Sequence, residues 1–165
     1  MHQSLLCSPS RLGWVKKANG KSRGCVFCKI AKSKRDAANM VVHRSGRFLV
    51  VMNIYPYNTG HIQVLPLKHV INLEDLSDED VSEMSVLVKK CVRLLKKTLC
   101  PEGFNIGLNQ GGEAAGASIG HLHVHIVPRF RRDFGFIDII GGTKVLPEPV
   151  GKTYEKLKSN AKMLE

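Results

Sequence analysis

Residues 121–127 read His121-Leu122-His123-Val124-His125-Ile126-Val127, three histidines alternating with aliphatic residues. Strand side chains alternate between faces, so the spacing predicts a β-strand with three imidazoles on one face and Leu122, Val124 and Ile126 in the core. Three readings of that face stand side by side: a polar outer surface, a metal-binding face, and a nucleophile with its helpers. Just upstream, 109–118 (NQGGEAAGAS) offers glycines for close backbone approach and amides that can cradle an anion. A nucleophilic ring beside an anion cradle points to attack on phosphorus. No Gly-Lys-Ser/Thr follows, so the loop is not a P-loop.

Working outward, residues 47–53 (RFLVVMN) and 61–67 (HIQVLPL) read as two antiparallel strands joined by IYPYNTG, a hairpin over 47–67. Ser77 followed by three acids reads as a helix N-cap with dipole-matched first-turn charges. Val81, Met84, Val88, Cys91 and Leu95 continue it as one apolar face, and Pro101 stops it. GFNIGLN (103–109) and HLHVHIV (121–127) add two strands, and a weakly signalled helix falls around 30–38. The fold class implied is α+β, an antiparallel sheet with one long helix packed on it. The organisation expected is a basic leader over 1–23, one domain over 24–150 and a tail over 151–165.

The chain's 165 residues suffice for one domain with a real core. It has a net charge of +11, but the first 35 residues carry nine of the 25 basic residues and no acid. That lopsided leader reads either as an arm for polyanions or as a solvated segment. With few aromatics among the charges, nucleic acid is not an expected partner. No apolar run approaches a membrane span and no signal peptide is recognisable, so no membrane is expected as a partner. An odd count of five scattered cysteines argues for a reducing, cytoplasmic location. Cys91 and Cys100 read as small apolar fillers, and His2 and His43 as surface residues. Cys25-x-x-Cys28 reads as half of a metal site; a thioredoxin-type pair would want a βαβ context that is missing.

The triad followed by two apolar residues, with NIYPYNTGHIQVLP, GFNIGLN, HLHVHIVPRF and IIGGTKVLPEP, resembles the histidine triad (HIT) superfamily of nucleotide hydrolases and transferases. Within it, these segments are most similar to the diadenosine tetraphosphate phosphorylase (ATP adenylyltransferase) branch. The resemblance spans about residues 24–150. It implies that His123 attacks the α-phosphorus to form a nucleotidyl-histidine and that His125 binds phosphate oxygens. Ser118 and amides near Gly116 would hold the α-phosphate, with Asn109 beside it. Asn53 would hold the ribose, His61 would lie near the base pocket, and Arg129 or Lys144 would meet distal phosphates. Ala117 stands where the family usually has glutamine. A structural zinc on Cys25, Cys28, His69 and His121 is implied too, as are a homodimer and inorganic phosphate as acceptor. The rival activities are hydrolysis of nucleoside phosphoramidates or nucleotidyl esters, and a zinc-stabilised nucleotide or nucleic-acid binding module with a vestigial triad.

Overall fold

The computed structural model describes residues 24–165 apart from 118, 132, 142 and 143. The expected leader therefore lies outside the described residues. A continuous apolar run such as FLVVM has to be covered on both faces, and the architecture meets that demand. Five strands, β1 (Val41–Arg44), β2 (Phe48–Met52), β3 (Ile62–Pro66), β4 (Gly103–Leu108) and β5 (Val124–Arg129), form one antiparallel sheet in the order β1-β2-β3-β5-β4. The expected hairpin is β2–β3, with Phe48 opposite Pro66 and Met52 opposite Ile62.

One face of the sheet, carrying Phe48, Val50, Ile62, Val64, Val124 and Ile126, packs on the long helix α2 (Asp78–Leu99). The Ser77 side chain accepts the Asp80 N–H at 3.2 Å, and Cys100 ends the helix in the left-handed conformation. The buried stripe is Met84, Leu87, Cys91, Leu94 and Leu95, while Val81 and Val88 are half-buried at its edge. Each fully buried leucine contributes about 2 kcal/mol of hydrophobic stabilisation. Cys91 is an apolar filler as expected, but Cys100 is exposed at the cap.

The opposite face carries Val41, Leu49, Val51 and Leu65, covered in part by α1 (Val26–Lys32) through Phe27 and Ile30. Its remainder is open, and that opening is the candidate site. The helix expected around 30–38 is this α1, displaced towards the N-terminus. Two further helices follow the sheet, α3 (Phe136–Ile140) and α4 (Val150–Ser159). The segment expected as a tail is helical from Val150 and buries Tyr154, Leu157 and Leu164 in the main core. His43, expected on the surface, is half-buried in β1. At the hairpin turn Gly60 has φ +80°, and a Cβ there would lie 2.4 Å from Leu99 Cδ1 and 3.1 Å from Pro128 Cγ. Only glycine fits, which holds the turn against the end of α2. Among the described residues no helix is long and apolar enough to cross a membrane.

Candidate functional site

Regular β5 pairing starts at Val124 rather than at 121, and this short lead-in divides the three histidines between two jobs. His121 is buried and turns towards the N-terminal helix: its Nδ1 lies 3.3 Å from Cys25 Sγ and 3.7 Å from Cys28 Sγ. His69 Nδ1 lies 3.3 Å from Cys28 Sγ, and the four ligand atoms fall within 4.8 Å of one another. The set can hold a metal ion. His121 Nε2–H donates to the Pro66 carbonyl at 3.0 Å, which leaves Nδ1 with its lone pair facing the sulfurs. Burial and the adjacent Cys25 push the Cys28 thiol up. The donor chemistry, two thiols and two correctly oriented imidazoles, fits a closed tetrahedral site.

His123 and His125 face the opening, with ring centroids 4.6 Å apart. His123 Nδ1–H donates to the His121 carbonyl at 2.7 Å, so in the neutral ring Nε2 keeps its lone pair. Burial pushes the His123 pKa down, which favours that neutral ring. A second chain of hydrogen bonds fixes His125. The Tyr57 backbone N–H donates to His61 Nδ1 at 3.1 Å, so His61 carries its proton on Nε2 and donates it to His125 Nδ1 at 2.9 Å. His125 is thereby held with its proton on Nε2. One ring thus presents a lone pair on Nε2 and its neighbour an N–H, both fixed by backbone groups at the far ends of the chains.

His61 is fully buried behind His125 and does not itself line the cavity, but it touches Tyr57, Asn53 and His125, which do. Desolvation, with His125 and His123 adding to it, lowers its pKa to about 3. Unfolded, the same ring takes up a proton near pH 6.5. Its contribution to stability is therefore complete above pH 6.5 and is lost as pH falls towards 3. Between pH 7 and pH 5 this ring alone should cost about 2 kcal/mol. Urea unfolding at the two pH values measures it: His61→Gln should lose about that much less on acidification than the wild type. Equal losses in the two proteins would contradict the assignment.

Asn53, Asn109 and Gly116 line the cavity together with the two histidines. Gly116 has φ +75° and approaches Asn109 Nδ2, so the loop folds over the end of β4 in a shape that requires glycine. Ser118 lies outside the described residues. Asn53 also braces its own turn, since its Oδ1 accepts the Tyr55 N–H at 2.9 Å and its Nδ2 lies 3.3 Å from His61 Nδ1.

Arg129 does not line the cavity. Its guanidinium is occupied by Asp133 (2.7 and 2.9 Å) and by Asn105 Oδ1 (2.7 Å), and the Asp133 carboxyl is held down to about 2 by this partner. Asn58 Nδ2 donates to the same carboxylate at 2.7 Å, so the group fastens the hairpin turn to the end of β5. Arg129 thus has a structural role in this fold, beside the phosphate contact that the resemblance implies. Lys144 lies 3.9 Å from Asp138 and over the Phe134 ring.

Two of the cavity residues that escaped the reading of the sequence are central to the site. Phe27, on α1 between the two cysteines, packs edge-on against His121 (5.6 Å) and His123 (5.2 Å) and joins the metal-ligand cluster to the cavity. Val26, Phe27 and Ile30 at i, i+1 and i+4 were the available signal of a helix face. The other is Gln63, the one polar residue in the apolar run of β3.

Residues 34–132 match the HIT domain family. A Mycobacterium tuberculosis protein named AP-4-A phosphorylase is 46% identical over 113 residues, which are 68% of this chain and 58% of that protein. The chain thus spans under two thirds of that relative's length. The adenosine 5'-monophosphoramidase of Schizosaccharomyces pombe is 30% identical over 138 residues, 84% of this chain and 98% of that protein. Among solved structures, a Zn-bound histidine triad family protein from Mycobacterium smegmatis superposes with TM-score 0.68 at 28% identity, covering 87% of this chain and 97% of that one. The family match takes in every strand of the sheet and all three triad histidines, and the chain belongs to the HIT domain family.

Proposed function

We propose that this protein is a nucleotidyl transferase that cleaves dinucleoside polyphosphates, converting diadenosine tetraphosphate and inorganic phosphate to ADP and ATP. The observation that carries it is the pair of fixed tautomers: His123 Nε2 as a lone pair and His125 Nε2–H as a donor, in one cavity. His123 Nε2 forms a bond to the α-phosphorus as the bond to the departing ATP oxygen breaks. Phosphate oxygen then attacks the same phosphorus, the P–N bond breaks, and ADP leaves with His123 regenerated. His125, the loop amides near Gly116 and Asn109 steady the charge spread over the phosphoryl oxygens. Ser118 adds its hydroxyl to that cradle in this reading, and Asn53 approaches the ribose.

Ala117 favours this substrate class over phosphoramidates. A polyphosphate departs as a stable anion, whereas an amine needs a proton, and Ala117 has no side-chain donor to place one. The similarity to a monophosphoramidase supports the rival reading, hydrolysis of nucleoside phosphoramidates with water as acceptor. Zinc is the metal proposed for Cys25, Cys28, His69 and His121; when bound it would clamp α1 to the triad segment and take no part in the displacement. A cytoplasmic homodimer is proposed as well. Among the described residues β4 pairs only with β5, and its outer edge exposes Ile106 to a second copy.

Product analysis with diadenosine tetraphosphate tests the proposal. ADP plus ATP should appear only when phosphate is supplied. AMP plus ATP with or without phosphate would make the protein a hydrolase and overturn the acceptor.

A further inference from the structure

Gln63 lies at the middle of the sheet on the cavity face. Register places it between Val51 of β2 and His125 of β5, with Gly107 of β4 beyond His125. The residue is only 6% exposed, yet it lines the cavity. Its amide nitrogen lies 3.5 Å from His125 Nδ1, whose single lone pair already accepts the His61 proton at 2.9 Å. That is a marginal contact. The nitrogen of the amide, rather than its oxygen, faces His125 because that ring nitrogen is an acceptor. Among the described residues no hydrogen bond reaches the Gln63 carbonyl oxygen. The oxygen is not one of the buried unsatisfied atoms, so it is open to the cavity, where a ligand hydroxyl can reach it.

The row of residues says which part of a nucleotide would meet it. On the β5 and β4 side lie His123, Asn109 and Gly116, the polar and amide-rich half of the cavity. On the β2 side lie Val51, Phe27 and Ile30, the apolar half. A nucleotide with its phosphate in the first half and its base in the second has its ribose over Gln63. Asn53, the other carboxamide nearby, already spends its oxygen on the Tyr55 N–H. Gln63 therefore holds an unspent side-chain acceptor at the junction, with Asn109 the carboxamide on the phosphate side.

We propose that Gln63 accepts a hydrogen bond from a ribose hydroxyl and is the residue by which the site distinguishes ribonucleotides from deoxyribonucleotides. This rests on the nucleotide reading of the cavity. It adds a specificity contact and no step to the displacement.

Calorimetric binding of AMP, 2'-deoxy-AMP and 3'-deoxy-AMP tests it, with the wild type, Gln63→Leu and Gln63→Met. The wild type should bind AMP about tenfold more tightly than at least one deoxy analogue. Both variants should bring that ratio close to one. A ratio preserved in the variants would overturn the proposal. So would AMP and the deoxy analogues weakening in parallel, since that is the mark of a packing role. The wild-type comparison needs no variant to fold: AMP bound without discrimination overturns the Gln63 assignment alone, whereas no AMP binding at all removes the nucleotide reading with it.

Discussion

Replacing His123 with asparagine should lower turnover of diadenosine tetraphosphate by about 10⁴-fold, while AMP affinity changes by less than about threefold. Asparagine keeps an amide that can reach the His121 carbonyl but has no lone pair to form a bond to phosphorus. Positioning and charge stabilisation survive in such a variant, because His125, Asn109 and the loop around Gly116 are untouched. The loss therefore falls on kcat. Turnover retained within tenfold would mean that the nucleophile is another group or that water attacks directly. A binding module with a vestigial triad would show no functional change from the same substitution.

The second large effect is expected from the metal-ligand cluster. If zinc occupies the four ligands at a concentration about 10³ above its Kd, its removal should cost about 4 kcal/mol of stability. Chelation of the wild type, or Cys28→Ser, should produce a loss of that order in urea unfolding, together with loss of one metal ion per chain by elemental analysis. Nucleotide affinity should fall as well. Cys25 and Cys28 flank Phe27, and Phe27 is in contact with His123, so freeing α1 loosens one wall of the cavity. A chelated protein as stable as the untreated one would show that the four residues do not hold a structural metal.

The parts of this molecule legible in its sequence share a physical basis: each is a strong local pattern. Alternation in HLHVHIV, the turn chemistry of YNTG and the Ser77 cap depend on residues within a turn or two of one another, and they marked the hairpin, the long helix and the site strand. The Cys25-x-x-Cys28 spacing marked half of a metal-ligand set, and the resemblance supplied His69 and His121.

What escaped depends on contacts between distant segments. Arg129 read as a free cation because only the fold brings Asn105 and Asn58 to its side of Asp133. His61 read as a residue near the pocket, but its complete burial behind His125 depends on the β3–β5 pairing. The C-terminal helix carries too few apolar residues to announce itself, yet Tyr154 and Leu157 meet the core because β1 lies beneath them. Gln63 looked like an ordinary interruption of an apolar run, because nothing local shows that the second face of the sheet is open above it.

The central claim is a covalent bond between His123 and a nucleotide, and it can be weighed directly. The protein is mixed with diadenosine tetraphosphate without phosphate, quenched within milliseconds in alkaline denaturant to protect an acid-labile P–N bond, and measured by intact and peptide mass spectrometry. The expected result is one adenylyl group per site, located on His123, that disappears with formation of ADP when phosphate is added. Turnover with no adduct at any time, or an adduct on another residue, would contradict it.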